Sequence, residues 1–513
     1  MQLRSLLVVV LGFALTPSVG LANWLEYTET DRLRAELGAA APTGVGVSVV
    51  QSEAALNGGY YPQAGGSDAF AGMDSGINRD YTGITFFPES GAQTYSSHAK
   101  DVALRFFEKD GSIAPGISEV SLYTASDYVN ATPSSAGLPG RVHNSSWIAD
   151  VSQGVLDAAD SAVLRDGFVH CAGLNNGEAT ALPALYAHAY NLIIVGRADG
   201  KHSRGVTSAS FTGSGRMKPD IVGGVDVTSY TTPVVAGAAA LLLETINNDA
   251  SLAAADDPNV IRAILLAGAT KDFNAAWKRV DQSKPYDSVY GAGLVNVYRS
   301  YHILKGGAQS PSETVLAKLK GWAKLSSNGT RRFLVDIPDG RLAEEFSIVL
   351  SWFRDPILSP PGKRDAGIGN RPQLTLILYR RDSGGTLTEI DRSQSAVDNV
   401  EHVFRRHLTS GEYIIEVPGL TDTYEYSLAW NVELGDGPNL VTPTKGVVQF
   451  TDLDPAASYD VRRSTSLVST EWQTVGTLPA AARFSASFTD PAPPVDRAFY
   501  RLEWSDPVTP TAP

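Results

Sequence analysis

The chain has 513 residues, too many for a single hydrophobic core, because compact domains usually stop growing at about 250–300 residues. Its hydrophobic fraction of 43% and charged fraction of 19% are typical of folded globular proteins and exclude general disorder. The 55 acidic residues outnumber the 42 basic ones, for a formal net charge of -13. This charge would repel phosphate backbones, so nucleic acid is not expected as a partner.

Residues 1–22 have the features of a secretory signal peptide. Arg4 supplies a positive charge, an apolar run covers residues 6–15, and small residues lead to Ala22, after which we expect cleavage. A buried first helix is the alternative. The run is shorter than the roughly 20 residues that span a membrane, and no other apolar stretch in the sequence reaches that length. We therefore expect a secreted or periplasmic protein without a membrane span, and Cys171, the single cysteine, excludes an intramolecular disulfide.

Composition changes twice after the signal peptide and predicts three folded domains. Residues 23–305 alternate short β-branched runs with helical patterns, which is typical of a parallel sheet covered by helices. Residues 306–435 begin with a Gly/Ser/Pro-rich linker and continue with short aromatic and β-branched runs that predict a β-sandwich. Residues 436–513 predict a small β domain with a frayed Pro/Thr-rich tail. Its runs at 459–467 and 496–502 resemble fibronectin-type modules.

The apolar, Ala-rich helix that contains Pro233 carries the strongest functional signal. Proline is tolerated in a first helical turn because its missing N–H would be unpaired there, so the helix is predicted to begin near Ser229. A hydroxyl at this point sits at the positive end of the helix dipole, beside backbone N–H groups that can hold a developing oxyanion. Ser229 is therefore a candidate acyl-transfer nucleophile. The alternative is that Ser229 or Thr228 only caps a buried helix.

Three segments resemble, in order, those of the subtilisin-like serine peptidases, or subtilases: 209–222, 228–241 and 291–296. The resemblance extends over nearly all of residues 43–305. It implies an α/β subtilisin-like domain that hydrolyses protein or peptide substrates through an acyl-enzyme on Ser229. It requires no cofactor and is compatible with a structural Ca²⁺.

The candidate general base is His98, because the resemblance places the catalytic histidine at the start of a helix at this point of the chain. An imidazole with a pKa of about 6.5 can take the serine proton and return it to the leaving amine. The residues that usually follow this histidine are replaced by Ala99-Lys100-Asp101, so the signal depends on the order of the segments.

The third catalytic position departs from the family pattern. The first predicted strand, residues 44–50, resembles the strand that ends in the catalytic aspartate, but Gln51 stands at that place. A neutral amide cannot stabilise an imidazolium by its charge. Glu53 follows two residues later and leaves the strand on the same face. We expect Glu53 to orient His98; the alternative is an ordinary carboxylate at a strand end.

Two further segments are candidates for binding the substrate. An apolar strand followed by Ala-Gly-Leu-Asn-Asn-Gly ends at Gly177 and resembles the oxyanion-hole segment, for which we prefer Asn175 and keep Asn176 as the alternative. A simple tight turn is the other interpretation. Ser145, Ser146 and Trp147 lie where the family carries the strand that pairs with extended substrates, although Trp147 fits a core position equally well.

The sequence leaves two other functions open. Loss of the aspartate favours a catalytically impaired pseudopeptidase that serves as a peptide- or surface-binding module. The β domains resemble modules appended to exported bacterial proteins, for which contact with a cell surface or polysaccharide is a candidate role. No paired-cysteine or H-E-x-x-H metal motif is present, while Asp398-Asn399-Val400-Glu401 offers oxygen atoms for Ca²⁺.

Overall fold

A computed structural model describes twelve stretches of the chain. They are residues 24–54, 59–62, 80–224, 226–274, 277–356, 373–421, 423–436, 447–450, 458–465, 472–479, 486–494 and 498–504. The predicted signal peptide, residues 1–22, lies outside the described residues, as does most of the predicted C-terminal tail.

The first folded region is built on a parallel sheet, which has seven strands within the described residues. Strands β1 to β9 are Val49–Glu53, Thr85–Pro88, Glu119–Thr124, Val142–Ser145, Val169–Gly173, Ile193–Gly196, Gly205–Val206, Met217–Lys218 and Ile221–Val222. The order across the sheet is β2-β3-β1-β4-β5-β6-β9, and β7 pairs with β8 beside it. Because the strands are parallel, their carboxyl ends meet at one edge, where β1, β4 and β5 are neighbours.

Helices cover both faces of this sheet. Helices α1 to α8 are Trp24–Tyr27, Thr30–Leu37, Ser97–Phe106, Ala125–Ala131, Gln153–Asp166, Thr228–Asn247, Pro258–Gly268 and Val297–Gly306, with single 3₁₀ segments at Gly38–Ala40 and Ala250–Ala255. One face packs α3, α6 and α7 into a common core with Val49, Leu122 and Cys171. The opposite face packs α4 and α5 against Val50 and Ala172. The predicted α/β, subtilisin-like fold class is confirmed.

Helix α6 is the central core helix. It begins at Thr228, so Pro233 lies in its second turn and not in the first as the sequence analysis expected. The missing N–H of Pro233 leaves the carbonyl of Ser229 without its usual partner four residues on. Among the described residues, α6 is the one helix with the length and hydropathy of a membrane span, and 89% of that window is buried inside the protein.

The region that follows is rich in β-structure, as predicted. Strands β10 to β17 are Ser312–Leu316, Lys320–Ser326, Arg331–Ser351, Leu376–Arg381, Leu387–Ser393, Val400–Arg405, Leu408–Val417 and Glu425–Asp436. Within the described residues they form one eight-stranded sheet, whose core includes Trp430 and Phe346. The long strand β12 pairs with β15, β16 and β17, so it links the two ends of this sheet.

Five short strands form the last described part. Strands β18 to β22 are Val447–Phe450, Tyr459–Ser464, Gln473–Leu478, Ala486–Thr489 and Phe499–Trp504. They form a two-stranded pair and a three-stranded sheet in the described residues, around a small core that includes Val461 and Phe450.

The α/β region and the eight-stranded sheet share buried contacts. Trp322 donates its indole N–H to the carbonyl of Leu304 at 3.1 Å, and Trp322 belongs to the core that surrounds α6 and α7. The amide of Asn259 on α7 donates to the carbonyl of Ser351 at 2.9 Å. The first β region therefore packs firmly on the α/β region, whereas the predicted domain boundaries themselves stay predictions.

Candidate active site

Ser229 lies in the first turn of α6, close to the carboxyl edge of the parallel sheet. Its hydroxyl donates a hydrogen bond of 3.2 Å to the carbonyl of Ser146, just after β4. The side chain is partly exposed, and the helix places it at the positive end of the α6 dipole. A nucleophile at this position can be reached by a ligand that lies along the end of β4.

His98 enters the site from α3. Ser96 caps this helix by accepting the N–H of Ala99 at 3.2 Å, which fixes the first turn and the direction of the imidazole. The ring centre of His98 lies 6.0 Å from that of Tyr230, the residue after Ser229. Helices α3 and α6 thus bring His98 close to the residue that follows the candidate nucleophile, and the described hydrogen bonds do not include one from His98 Nε2 to Ser229.

Glu53 is the carboxylate that meets His98. Its Oε2 lies 2.6 Å from His98 Nδ1, and its side chain is fully buried while that of His98 remains 21% exposed. The strand alternation that put Gln51 and Glu53 on one face holds through β1, since the amide of Gln51 donates to Glu53 Oε1 at 2.9 Å. The side chain of Gln51 therefore lies behind the carboxylate and does not replace it.

The pKa values of Glu53 and His98 both differ from their ordinary values. Burial raises the pKa of Glu53, and the hydrogen bond and charge of His98, together with the hydrogen bond from Gln51, oppose this effect only in part. Burial alone would lower the pKa of His98, but the hydrogen bond and charge of Glu53, helped by Asp101, outweigh it, so the His98 pKa lies above its ordinary value. A carboxylate that favours the imidazolium is what a general base needs when it takes a proton from serine.

The two asparagines after β5 have different surroundings. Asn176 Oδ1 accepts the N–H of Thr228 at 3.0 Å, which holds this side chain against the start of α6, next to Ser229. Asn175, which the sequence analysis prefers, has its backbone N–H and C=O paired with Ser203. Because the Oδ1 of Asn176 is engaged, its Nδ2 is the atom left to donate to a ligand. The geometry favours Asn176 over Asn175 for an oxyanion hole.

Of the three residues predicted to bind the substrate, two are buried in the core and one faces Ser229. Ser145 is buried and its hydroxyl lies 2.9 Å from both Ser52 Oγ and His170 Nε2. Trp147 donates its indole N–H to Ser52 Oγ at 2.9 Å and belongs to the core of the α4–α5 face. Trp147 is therefore a core residue, the second of the two roles that its sequence position allowed. Ser146 differs, because its carbonyl faces Ser229.

Sequence reasoning missed a second layer of polar groups around Tyr230. The Tyr230 hydroxyl donates to Asp101 Oδ2 at 3.0 Å, and the guanidinium of Arg105 stacks 4.0 Å from the ring centre. Arg105 also forms an ion pair of 2.8 Å with Asp226. The spacing of Asp101 and Arg105 on α3 was a weak signal, but nothing local pointed to Tyr230 as their partner.

The acidic loop considered for Ca²⁺ is occupied by protein donors. Asp398 accepts the N–H of Met217 and the hydroxyl of Ser395, and Glu401 accepts the hydroxyl of Ser393 and the N–H of Ser395. Burial raises the pKa of both carboxyl groups. Within the described residues no group of three or more His, Cys, Asp or Glu side chains is arranged to hold a metal ion.

The fold places a hydroxyl at a helix start, a carboxylate-bound imidazole and an amide near the same edge of a parallel α/β sheet, the kinds of group that serine-type acyl transfer uses. The model of the subtilase family, Peptidase_S8, matches residues 121–293 of the chain. This match confirms the resemblance to the subtilases and supports a serine peptidase at the level of the family. The matched residues include Ser229 and Asn176 but neither Glu53 nor His98.

Two solved structures with similar folds are distant from this chain in sequence. Fervidolysin from Fervidobacterium pennivorans, a keratinolytic enzyme related to subtilisin, is 17% identical over 89% of this chain and 68% of its own, with a TM-score of 0.35. MycP1 from Mycobacterium smegmatis is 13% identical over 53% of this chain and 84% of its own, with a TM-score of 0.33. At these values neither likeness carries an argument about activity. No curated protein matches the chain.

Proposed function

We propose that the chain is a secreted serine endopeptidase that hydrolyses protein or peptide substrates through an acyl-enzyme on Ser229. His98 takes the proton of Ser229 as the hydroxyl oxygen attacks the peptide carbonyl, and Glu53 stabilises the imidazolium that forms. His98 then gives this proton to the leaving amine, and a water molecule activated by the same ring hydrolyses the ester. None of these steps requires a cofactor.

The contact of 2.6 Å between Glu53 Oε2 and His98 Nδ1 is the observation that carries this proposal. An ordinary carboxylate at a strand end would be expected to reach solvent, but the Glu53 side chain is fully buried and its partner is a partly exposed imidazole. A buried carboxylate costs free energy unless a positive or hydrogen-bonding partner compensates for it. An imidazole that becomes charged during the reaction is such a partner.

The oxyanion hole in this proposal is formed by Asn176. Its Oδ1 atom is tied to the N–H of Thr228, so its Nδ2 group can donate to an oxygen beside Ser229. The backbone N–H of Ser229 adds to this donor, whereas the N–H groups of Thr228, Tyr230 and Thr231 are already bonded to Asn176 and to the carbonyl of Val227.

A catalytically impaired binding module remains the second candidate, and one observation favours it. The hydroxyl of Ser229 donates to the carbonyl of Ser146, so its proton does not point to His98. Rotation about the Cα–Cβ bond of Ser229 redirects the hydroxyl without moving the backbone. Catalytic hydrogen bonds are often long or absent until the substrate binds, and for this reason we prefer the enzyme.

Labelling with a fluorophosphonate probe separates the two candidates. An active site of this type should form a covalent adduct on Ser229, which mass spectrometry of tryptic peptides locates. Ser229→Ala should abolish the adduct, and His98→Gln should slow its formation because the hydroxyl loses its base. Ser251, an exposed serine in a 3₁₀ segment, provides the control, since Ser251→Ala should label like the wild type. An unlabelled but folded wild-type protein would establish the binding module instead.

Substrate and location follow from the same proposal. An extended peptide would lie along the chain after β4, where the carbonyl of Ser146 faces the nucleophile and Ile148 is 41% exposed. The predicted signal peptide would export the enzyme to the periplasm or the medium. The β regions would contact a cell surface or a polysaccharide there, as appended modules commonly do.

A further inference from the structure

Gln51 occupies the place of the family aspartate and has a contact that its sequence position did not reveal. Its side chain is fully buried, and its Nε2 donates both to Glu53 Oε1 and to the carbonyl of Ala99, at 2.9 Å each. Ala99 follows His98 on α3. The carboxamide therefore joins three parts of the site: the end of β1, the carboxylate of Glu53 and the backbone of the histidine helix.

The two acceptors determine the orientation of this amide. If the oxygen and nitrogen of the carboxamide exchanged places, the amide oxygen would face the Glu53 carboxylate and the Ala99 carbonyl. Three hydrogen-bond acceptors would then meet without a donor. Among the described residues, Gln51 Nε2 is the one hydrogen-bond donor to Glu53 Oε1, while Glu53 Oε2 is taken by His98. Both oxygens of the buried carboxylate are thus fixed, which sets the plane in which it meets the imidazole.

We infer that Gln51 is a positioning residue, whose carboxamide holds Glu53 in the orientation and the ionised state that His98 needs. This inference depends on the proposed function for its catalytic meaning. It also explains why residue 51 is not an acid. A second carboxylate at this distance from Glu53 would be a like charge in a buried site, and one of the two would have to keep its proton.

The test is Gln51→Met, which keeps the length of the side chain and removes the donor. Loss of the hydrogen bond that favours ionised Glu53 should raise the Glu53 pKa and weaken its hold on the imidazolium. The pKa of His98 should then fall, and the acid limb of the pH–rate profile should move to lower pH. We expect kcat/KM to fall by about 10²-fold, the loss typical of a misplaced catalytic group.

Other groups near His98 stay unchanged in this variant. Asp101 on α3 and Tyr230 on α6 face the ring, and Arg105 and Asp226 lie behind Tyr230. The His98 pKa is measured by NMR of the protein labelled with ¹⁵N-histidine, with the signal assigned from His98→Gln. A low-field Nδ1 proton should be present in the wild type and lost or shifted in Gln51→Met.

Asn399→Leu is the matched control. Asn399 is a buried amide whose nitrogen, like that of Gln51, donates two hydrogen bonds; its acceptors are the carbonyls of Tyr190 and Trp352, and neither belongs to the site. This variant should lose stability as Gln51→Met does but keep the His98 pKa and the acid limb. A reciprocal exchange, Gln51→Glu with Glu53→Gln, conserves charge and volume and should be as inactive as Glu53→Gln alone.

An unchanged His98 pKa in Gln51→Met would overturn the inference. In a protein that the fluorophosphonate probe labels, so would a loss of activity no greater than in Asn399→Leu or wild-type activity of the exchanged pair. If Gln51→Met does not fold, Gln51→Asn gives the same readout, because it withdraws the amide by one methylene and should also lower the His98 pKa. The NMR titration of His98 can be carried out whether or not the protein has peptidase activity. A fall of the His98 pKa in a protein that the fluorophosphonate probe fails to label would support the role of Gln51 and contradict the proposed peptidase.

Discussion

Two histidines lie on opposite faces of the same sheet, and their surroundings differ. His170 on β5 lies within 2.9 Å of Ser145 Oγ and is fully enclosed by rings such as Tyr186. Burial, followed by the charge of His143, lowers the pKa of His170 well below its ordinary value. His98 has a carboxylate partner and an exposed edge, and its pKa is raised.

The comparison shows that a serine–histidine contact does not by itself make a nucleophile. The hydroxyl of Ser145 lies 2.9 Å from His170 Nε2, whereas the described hydrogen bonds include none between Ser229 and His98. The Ser145–His170 pair nevertheless has no carboxylate among its described hydrogen bonds, and both of its side chains are buried. Burial acts on both rings in the same direction. The carboxylate of Glu53 reverses its effect at His98, and this reversal is what the following predictions address.

The largest expected effect is that of Glu53→Gln. The variant keeps the hydrogen-bond geometry but removes the charge, so kcat/KM should fall by about 10⁴-fold, as in other sites of this type. Because His98 acts in its neutral form, activity rises with pH through its pKa. Without Glu53 that pKa falls, and the acid limb of kcat/KM against pH should move to lower pH.

Glu119→Gln is the control for this change, because Glu119 is exposed at the start of β3. Its pH–rate profile should match that of the wild type. If Glu53→Gln left both the rate and the acid limb unchanged, Glu53 would be an ordinary carboxylate at a strand end. The carboxylate would then not account for the different behaviour of His98 and His170.

A smaller loss is expected for Asn176→Ala. Removal of one oxyanion donor typically costs about 10²–10³-fold in kcat, with little change in KM, because the bond strengthens only in the transition state. Asn175→Ala should remain within a few-fold of the wild type. Steady-state hydrolysis of a fluorogenic peptide separates the two variants, and the opposite ranking would assign the oxyanion hole to Asn175.

Much of this site could be predicted because its signals are local. The Ala-rich helix after Ser229 and the alternation that puts Gln51 and Glu53 on one face of β1 are periodicities of the backbone itself. The position of His98 came from the resemblance and not from spacing. Glu53 was found by the same alternation, although the expected aspartate was absent.

The remaining features depend on contacts between distant parts of the chain. Asn175 and Asn176 differ by one position in a loop, but the backbone of Asn175 pairs with Ser203 while the side chain of Asn176 accepts from Thr228 at the start of α6. The hydrogen bond from Tyr230 to Asp101 joins residues 129 positions apart. No pattern along the sequence predicts such a contact, since the fold alone determines which side chains meet.

Asp101→Asn should change the pH profile of the site slightly. The charge of Asp101 helps to raise the pKa of His98, so its removal should move the acid limb to lower pH by less than Glu53→Gln does. Activity at neutral pH should stay within a few-fold. Tyr230→Phe removes the hydrogen bond to Asp101 but keeps the charge and should leave the limb in place. Equal shifts in both variants would show that the hydrogen bond, and not the charge, sets the His98 pKa.

The smallest effect on activity is expected for His170→Phe, which tests the other side of the comparison. The substitution keeps a ring in the core but leaves the buried Ser145 hydroxyl without one of its partners, and such a loss typically costs about 1–3 kcal/mol of stability. Urea denaturation should show this cost, while kcat/KM and its pH profile stay at wild-type values because His170 has no route to a ligand. Ser145→Ala should behave in the same way. A loss of fluorophosphonate labelling in a folded His170→Phe protein would mean that both histidines contribute to one site.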